Sequence, residues 1–259
     1  MTLRWEPDRA PRGDVALLHG VMALADVWWR IGPALAARGW RATAVDLPGH
    51  AGDVRGDGAL DLDALVDGVA ARLNGPVDLL VGHSLGAIVA LGLLARDPSA
   101  ARAVVLEEPP GPASIDLAAL AAFIEQDAEA VRRDRAPLVA REREANPRWD
   151  PGDVERSVRG IEEADAPAIV AALTGALRWD LEALLAGAGV PALVLAAPDA
   201  PGTFPHDPGS ALRGPDRDAV RAALAPDRFV VIEGGHCLHR DDAAGWVEAV
   251  DGFARTALG

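Results

Sequence analysis

The chain has 259 residues and half of them are apolar, which suits one globular domain, with or without an inserted cap, and a sizeable core. The formal net charge is −14, from 39 acidic and 25 basic side chains, and the arginines form no basic stripe, so a nucleic-acid partner is not expected. Cys237 is the only cysteine, which excludes a disulfide within the chain and favours a reducing compartment.

The hydropathy pattern shows neither a signal peptide nor a membrane-spanning segment. The first eight residues are polar and lack the apolar core of a signal peptide. The longest apolar stretch, 86–95, is too short to span a bilayer. We therefore expect a cytoplasmic protein with no membrane association.

Short apolar runs alternate along the chain with segments of helical period. Near-continuous apolar runs are typical of strands that are covered on both faces in a parallel sheet. These predicted strands are 15–18, 42–45, 77–81, 103–106, 192–197 and 229–232. The predicted helices are 27–38, 62–73, 85–95 and 243–257. The alternation predicts an α/β fold with a doubly wound, mostly parallel sheet.

One region interrupts the alternation. Residues 114–185 contain no clear strand, only helix-period segments separated by prolines. We interpret this region as an α-helical cap inserted into a core domain formed by residues 1–113 and 186–259. Only about thirteen residues precede the first predicted strand, so any antiparallel strand there must be short or missing. Residues 198–215, rich in Pro and Gly, predict a long loop.

A Gly82-x-Ser84-x-Gly86 motif lies between a predicted strand and a predicted helix. A serine hydroxyl that projects from a sharp strand-to-helix turn needs glycine at the flanking positions, because a side chain there would collide with the neighbouring backbone. The helix that follows directs its N–H groups and its dipole toward the serine, which favours an oxyanion. The motif predicts Ser84 as a nucleophile.

On this motif the chain resembles the α/β-hydrolase superfamily over nearly its whole length, and three more features match in order. His19-Gly20 follows the first predicted strand, Asp46-Leu-Pro-Gly-His50 follows the next, and Gly234-Gly-His236 follows the last. The resemblance implies an α/β-hydrolase fold and the chain order of nucleophile first and histidine last. Haloalkane dehalogenases and epoxide hydrolases of this fold use an aspartate as the nucleophile, so Ser84 argues against both of these activities.

His236 is the general base that this resemblance implies, taking the proton of Ser84 and later protonating the leaving group. His239, three residues later, is the credible rival. His83 is expected to pack beside the turn, and His19 and His50 to stabilise turns.

Two backbone N–H groups are expected to form the oxyanion hole. Leu85, directly after the nucleophile, provides one. By resemblance Val21 provides the other, with Met22 as the alternative if the loop is offset.

The acid of the triad has three candidates. Asp199 follows the strand where the family most often places it, but the segment lacks the usual Gly-x-x-Asp turn, and Ala200 stands at the position of that aspartate. Glu107 is the first residue past the strand that follows the nucleophile helix, and Glu108 is next to it. Since two carboxylates closing an apolar strand are costly to bury without a role, Glu107 is the preferred acid, Asp199 the alternative and Glu108 the third candidate.

Aromatic residues of the cap and of the segment after the oxyanion loop are candidates for the substrate pocket, although each could equally belong to the core. They are Trp28, Trp29, Phe123, Trp149 and Trp179.

The predicted function is hydrolysis of a carboxylic ester or lactone of an apolar small molecule through an acyl-enzyme. The same triad could instead cleave a C–C bond, an amide or a cyanohydrin, or the fold could serve ligand binding without catalysis. No metal-ligand spacing and no phosphate or dinucleotide motif occurs, so no metal and no cofactor are expected.

Overall fold

The computed structural model of the chain describes residues 2–53, 60–206 and 209–259. A seven-stranded sheet forms its centre, with the strand order β1-β3-β2-β4-β5-β6-β7. The outer strand β1 is antiparallel to β3, and the other pairs are parallel. The strands are β1 Thr2–Trp5, β2 Gly13–Leu18, β3 Trp40–Val45, β4 Val77–His83, β5 Ala101–Glu107, β6 Ala192–Ala196 and β7 Phe229–Val231.

Eleven α-helices accompany these strands in the described ranges. They are α1 Ile31–Ala37, α2 Leu62–Ala70, α3 Leu85–Arg96, α4 Leu117–Arg133, α5 Arg135–Ala145, α6 Pro151–Glu163, α7 Ala166–Ala171, α8 Leu181–Gly187, α9 Gly214–Ala223, α10 Leu238–Asp241 and α11 Ala243–Leu258. A π-helical turn, Ala172–Ala176, extends α7. Among the helices of the described segments, none combines the length and the apolar character needed to cross a membrane.

The doubly wound, mostly parallel sheet predicted from the alternation of apolar runs is confirmed. Each of the six predicted strands is present, and β1 is a short antiparallel strand of four residues. The predicted helix 27–38 is wrong at its start: a 3₁₀ turn, Ala25–Trp28, comes first and α1 begins only at Ile31. Pro33 explains the break, because a helix from residue 27 would place this proline in its interior, where its ring collides with the carbonyl of Trp29.

The apolar core lies on both faces of the sheet. Alternate residues of β5 point to opposite sides: Val104 packs with α2, α3 and α8, whereas Val105 packs with α1 and α11. The chain turns to one side of β2 to form β3 and to the other side to form β4. This reversal opens a crevice between the carboxyl ends of β2 and β4, which is where open α/β sheets bind their ligands.

Five helices separate β5 from β6. Helices α4 to α7 pack against one another, and α4, α5 and α6 share a small core of Val131, Leu138 and Val158. Helix α8 packs instead against α3 and α9, as part of the layer that covers the sheet. The cap boundary expected at residue 185 therefore falls inside α8.

The turn between β4 and α3 leaves no room for side chains at its glycines. A Cβ atom on Gly82 would lie 2.3 Å from the carbonyl oxygen of Gly86. A Cβ atom on Gly86 would lie 2.5 Å from the carbonyl oxygen of Leu18. The Gly-x-Ser-x-Gly spacing thus brings α3 against the end of β2, so that β2, β4 and α3 meet at one point.

We expect Gly86→Ala to reduce the free energy of unfolding by at least about 2 kcal/mol, because rigid backbone lies where the new methyl group would go. Gly252→Ala is the matched control, since this helical glycine of α11 has nothing within 4 Å of an added Cβ. It should stabilise the protein by about 0.5–1 kcal/mol through helix propensity. Urea unfolding of both variants measures this, and equal stabilities would contradict the close approach.

Candidate active site

Ser84 occupies the sharp turn between β4 and α3, with φ 52° and ψ −118°. A positive φ is uncommon for a residue with a side chain and is retained where the surroundings enforce it. The Ser84 N–H donates to the carbonyl of Glu107 at 2.9 Å, which fixes the turn to β5. Leu85 is the first residue of α3, so its N–H has no partner within the helix and is available beside the serine.

The loop after β2 lies directly against Ser84. A Cβ atom on Gly20 would be 3.2 Å from the Cβ atom of Ser84. The N–H of Met22 donates to Nε2 of His50 at 3.1 Å, whereas the N–H of Val21 has no acceptor in the part of the chain that the structure describes. Of the two candidates for the second oxyanion donor, Val21 has the available N–H and Met22 does not.

Two histidines fix this loop. His19 donates from Nδ1 to the carbonyl of Gly20 at 2.8 Å and accepts at Nε2 from the N–H of Leu47 at 3.0 Å. His50 donates in the same way from Nδ1 to the carbonyl of Pro48 at 3.0 Å. Both rings act as one donor and one acceptor, so both are neutral and hold backbone.

His236 follows β7. It is held by His83, the residue that precedes the serine, beside the turn between β4 and α3, which we call the elbow. Nε2 of His83 donates to the carbonyl of His236 at 2.9 Å, and the two rings lie 4.7 Å apart between centroids. Phe204 packs on His236 at 4.8 Å. The predicted packing of His83 beside the turn thus extends to a hydrogen bond that the sequence motif does not reveal.

The carboxylate beside the ring of His236 belongs to Glu108. Its Oε2 lies 3.4 Å from Nδ1 of His236. The same carboxylate accepts hydrogen bonds from the N–H of Ala197 at 2.7 Å, from Oγ of Ser210 at 2.8 Å and from the N–H of Ala211. Glu108 is fully buried and has φ 51°, so its backbone is strained as that of Ser84 is.

Glu107, the preferred acid, makes a different set of contacts. It accepts from Nε1 of Trp246 at 2.9 Å and from the N–H and Nδ1 of His239 at 3.0 and 2.8 Å. Burial raises the pKa of Glu107 above its ordinary value. The physical reason for the difference from expectation is the alternation of side chains along β5, which sends Glu107 to the face of Trp246 and Glu108 to the other.

Asp199, the alternative acid, lies on the surface. Its Oδ1 accepts from the N–H of Ala200 at 3.0 Å, and it lines a surface pocket together with Arg213. The N–H of Ala197, at the end of β6, donates instead to Glu108. Glu108, which follows β5, therefore lies beside the end of β6, where the sequence resemblance most often places the acid.

His239, the rival base, is a core residue. Its ring packs on Trp28 at a centroid distance of 4.6 Å, and its Nε2 is buried without a hydrogen-bond partner among the described residues. His83, Glu107 and His239 bring one potential metal-ligand atom each to within 4.8 Å of the others. A hydrogen bond from Nδ1 of His239 joins it to Glu107, and the ring of His83 packs against the ring of His239 at a centroid distance of 5.0 Å.

The structure gives each aromatic residue that was expected in the pocket a defined environment. Trp28 is fully buried in the core, and Phe123 is 43% exposed beneath the guanidinium of Arg141. The other three place their indole N–H on an acceptor: Trp29 on Asp153, Trp149 on Asp241 and Trp179 on the carbonyl of Pro110.

An aliphatic pocket adjoins the elbow instead. Its lining combines residues beside the serine with residues of the helical segment: Val21, Pro48, His50, Leu60, Leu65, Leu85, Ile169, Ala172, Leu173 and Leu177. Its free volume is about 10 Å³, room for about one water molecule. None of the five aromatic candidates lines it.

Comparison with known proteins gives matches over the whole fold and over part of the sequence. A model of the alpha/beta hydrolase family matches residues 15–250. The pimeloyl-[acyl-carrier protein] methyl ester esterase of Neisseria meningitidis is 45% identical over 92 residues, which are 36% of this chain and only 28% of the length of that relative.

Two solved structures share the fold. An esterase from Exiguobacterium antarcticum has a TM-score of 0.72 and 16% identity, with 98% of this chain and 94% of that one covered. The enol-lactonase from Burkholderia xenovorans LB400 has a TM-score of 0.70 and 18% identity, with 98% and 96% covered.

Buried histidines predict how stability depends on pH. Desolvation lowers the pKa of His19, His50, His83 and His239 below the ordinary 6.5. The unfolded chain therefore takes up protons below about pH 6.5 that the folded protein does not, and stability falls as pH falls. We expect a loss approaching about 1.4 kcal/mol per pH unit between about pH 6.5 and 5 for each of His19, His83 and His239, whose pKa lies well below 6.5, and a smaller loss for His50.

Urea unfolding at several pH values measures this slope. His206→Gln removes the exposed histidine, whose Nε2 pairs with Asp116 at 3.0 Å, and the loss of stability at low pH should persist in this variant. A free energy of unfolding that stays constant or rises between pH 6.5 and 5 would contradict the neutral, buried state of the four rings.

Proposed function

The chain belongs to the alpha/beta hydrolase family, and from that premise we propose that it is a serine hydrolase that cleaves carboxylic esters, open-chain or cyclic, through an acyl-enzyme. The observation that supports this most strongly is the convergence of three loops on one point. Ser84 stands on the strained elbow, and His236 is joined to the elbow through His83 and to Glu108 through Nδ1.

In the proposed reaction, Oγ of Ser84 attacks the ester carbonyl carbon while His236 takes the hydroxyl proton. The carbonyl oxygen becomes an oxyanion, stabilised by the N–H groups of Val21 and Leu85. The C–O bond to the alcohol breaks as His236 returns its proton to the departing oxygen. Water, deprotonated by His236, then hydrolyses the acyl-enzyme and restores Ser84.

Glu108 is the acid in this proposal, in place of Glu107 and Asp199. A triad acid holds the imidazole in the tautomer with hydrogen on Nδ1 and stabilises the imidazolium as it forms. Glu108 faces Nδ1 of His236, and its other hydrogen bonds, from Ala197, Ser210 and Ala211, hold the carboxylate in one orientation.

Helices α4 to α7 and the π-helical turn form the cap in this proposal, while α8 belongs to the core layer. Support comes from the close approach of α6 to the oxyanion loop, where a Cβ on Gly160 would lie 2.3 Å from the carbonyl oxygen of Met22. Ile169 and Leu173, from the same segment, line the aliphatic pocket together with Val21 and Leu85.

The aliphatic pocket defines the proposed substrate class. Because its lining includes Val21 and Leu85, the residues that carry both proposed oxyanion donors, we assign to it the acyl group of an ester bound at Ser84. Its mostly aliphatic lining favours an uncharged apolar group, and its free volume of about 10 Å³ leaves room for a group about the size of a methyl. The aromatic walls expected from the sequence are replaced by Leu, Ile and Val.

The acid is tested by comparing neighbouring amide variants on one aryl ester. We expect Glu108→Gln to reduce turnover by about 10²–10⁴-fold, because the amide keeps the shape of the side chain but loses the charge that stabilises the imidazolium. Glu107→Gln is the matched control. It should retain turnover within about tenfold and should instead lower the melting temperature. Ser84→Ala provides the inactive reference.

Two results would contradict this assignment. Retention of wild-type turnover by a folded Ser84→Ala protein would refute the serine mechanism itself. A crippled Glu107→Gln beside an active Glu108→Gln would refute only the choice of acid.

The acyl pocket is tested by a series of p-nitrophenyl esters from acetate to octanoate. Leu173→Ala removes three carbon atoms from the wall, and since each buried methylene contributes about 0.8 kcal/mol, the ratio of kcat/KM for hexanoate over acetate should rise at least about tenfold. Phe123→Ala, a change on the exposed side of α4, should leave the ratio unchanged. An unaltered ratio in Leu173→Ala would show that the acyl chain binds elsewhere.

A further inference from the structure

Asp241 connects the loop that bears His236 to the helical segment between β5 and β6. Its Oδ2 accepts from the N–H of Gly235, the residue before His236, at 2.7 Å. Its Oδ1 accepts from Nε1 of Trp149 at 3.0 Å. A Cβ atom on Gly234 would lie 2.8 Å from Oδ2, so the loop packs directly on the carboxylate.

Two more contacts join the same segments. Arg148 donates to the carbonyl of Glu233 at 3.0 Å, and the guanidinium of Arg240 lies over the ring of Trp149 at 4.5 Å. We call residues 233–241, which include His236, the histidine loop. The dipeptide 148–149, between α5 and α6, therefore contacts both ends of this loop, at residue 233 and at residues 240–241.

A second tryptophan–aspartate hydrogen bond links the helical segment to the core at a different place. Nε1 of Trp29 donates to Oδ1 of Asp153 at 2.8 Å, and Arg30 pairs with Oδ2 of Asp153 at 3.3 Å. Arg30 also reaches the carbonyl of Arg240 at 3.5 Å, but none of these contacts involves the carboxylate of Asp241 that holds Gly235. The two bonds are chemically alike, and only the one to Trp149 ends on the loop of His236.

From this geometry we infer that Asp241 is a positioning residue for His236, and that Trp149 couples its position to the docking of the helical segment. The inference rests on the proposed function, since it assigns consequences to the orientation of the base. A lost hydrogen bond to this loop alters how His236 faces Ser84 but leaves the aliphatic acyl pocket intact, so kcat falls and KM does not.

The variants Trp149→Phe, Asp241→Asn and the double variant test this, with Trp29→Phe as the matched control. Phenylalanine at 149 keeps a ring beneath Arg240 and removes only the N–H donor. We expect Trp149→Phe to lower kcat about 3–30-fold with KM within twofold, and the double variant to lose no more than Asp241→Asn alone, because both changes break one connection. Trp29→Phe should keep kcat within about twofold.

Hydrogen exchange supplies a readout that does not depend on activity. The peptide covering residues 233–241 should exchange faster in Trp149→Phe than in the wild-type protein, and at the wild-type rate in Trp29→Phe. A purely structural role would lower the melting temperature of both variants and leave kcat and this exchange alike in the two.

Equal kcat in Trp149→Phe and Trp29→Phe, or multiplicative losses in the double variant, would overturn the positioning role. Ser84→Ala, measured beside them, keeps the two proposals apart. Loss of activity in Ser84→Ala together with an unchanged Trp149→Phe refutes positioning alone, whereas an active Ser84→Ala refutes the hydrolase assignment.

Discussion

Two consecutive carboxylates are buried at the end of β5, and burial of a charge without partners costs several kcal/mol. Glu107 offsets this cost with Trp246 and His239, and Glu108 with the loop after β6 and with His236. The backbone carbonyl of Glu107 also accepts the N–H of Ser84. The elbow, the histidine loop and the loop after β6 are thus all tied to two adjacent residues.

The alternation of side chains along β5 places Glu107 and Glu108 in different surroundings. Ala103 and Val105 point to the side of α1 and α11, and Glu107 continues that row toward Trp246. Glu108 leaves the strand with φ 51° and faces the opposite row. One carboxylate therefore stabilises the core behind the site, and the other is free to meet the imidazole. This separation gives two His–Glu pairs a few ångströms apart with different roles in the proposal, one in the core and one in the reaction.

The fold could be predicted from the sequence because its signals are local. Apolar runs, their spacing and the Gly-x-Ser-x-Gly motif identify six strands and the elbow, and the close approaches at Gly82 and Gly86 give the physical reason for the motif. Ala200, at the position of the aspartate in the family's usual Gly-x-x-Asp turn, agrees with the proposal that the acid lies elsewhere. The sequence could not identify which of the two glutamates faces His236, because this depends on the positive φ of Glu108 and on which face of the sheet receives the histidine loop.

The pocket was harder still. Trp29, Trp149 and Trp179 lie in the sequence regions that were expected to cover the site, but each is oriented by an acceptor that no sequence pattern identifies. The aliphatic residues that do line the pocket, Ile169 and Leu173 among them, are indistinguishable in the sequence from ordinary core. The roles of Ser84 and His236 in catalysis stay predictions, supported by the geometry around them.

The central claim, that Glu108 and not Glu107 holds the imidazole of His236, is tested most directly by proton NMR of protein labelled with ¹⁵N at histidine. A ring N–H that donates to a buried carboxylate resonates far downfield, and His236→Gln identifies the signal of His236 by its loss. The account predicts that this signal disappears in Glu108→Gln and persists in Glu107→Gln, which instead loses the signal of His239. Persistence in Glu108→Gln with loss in Glu107→Gln would contradict it.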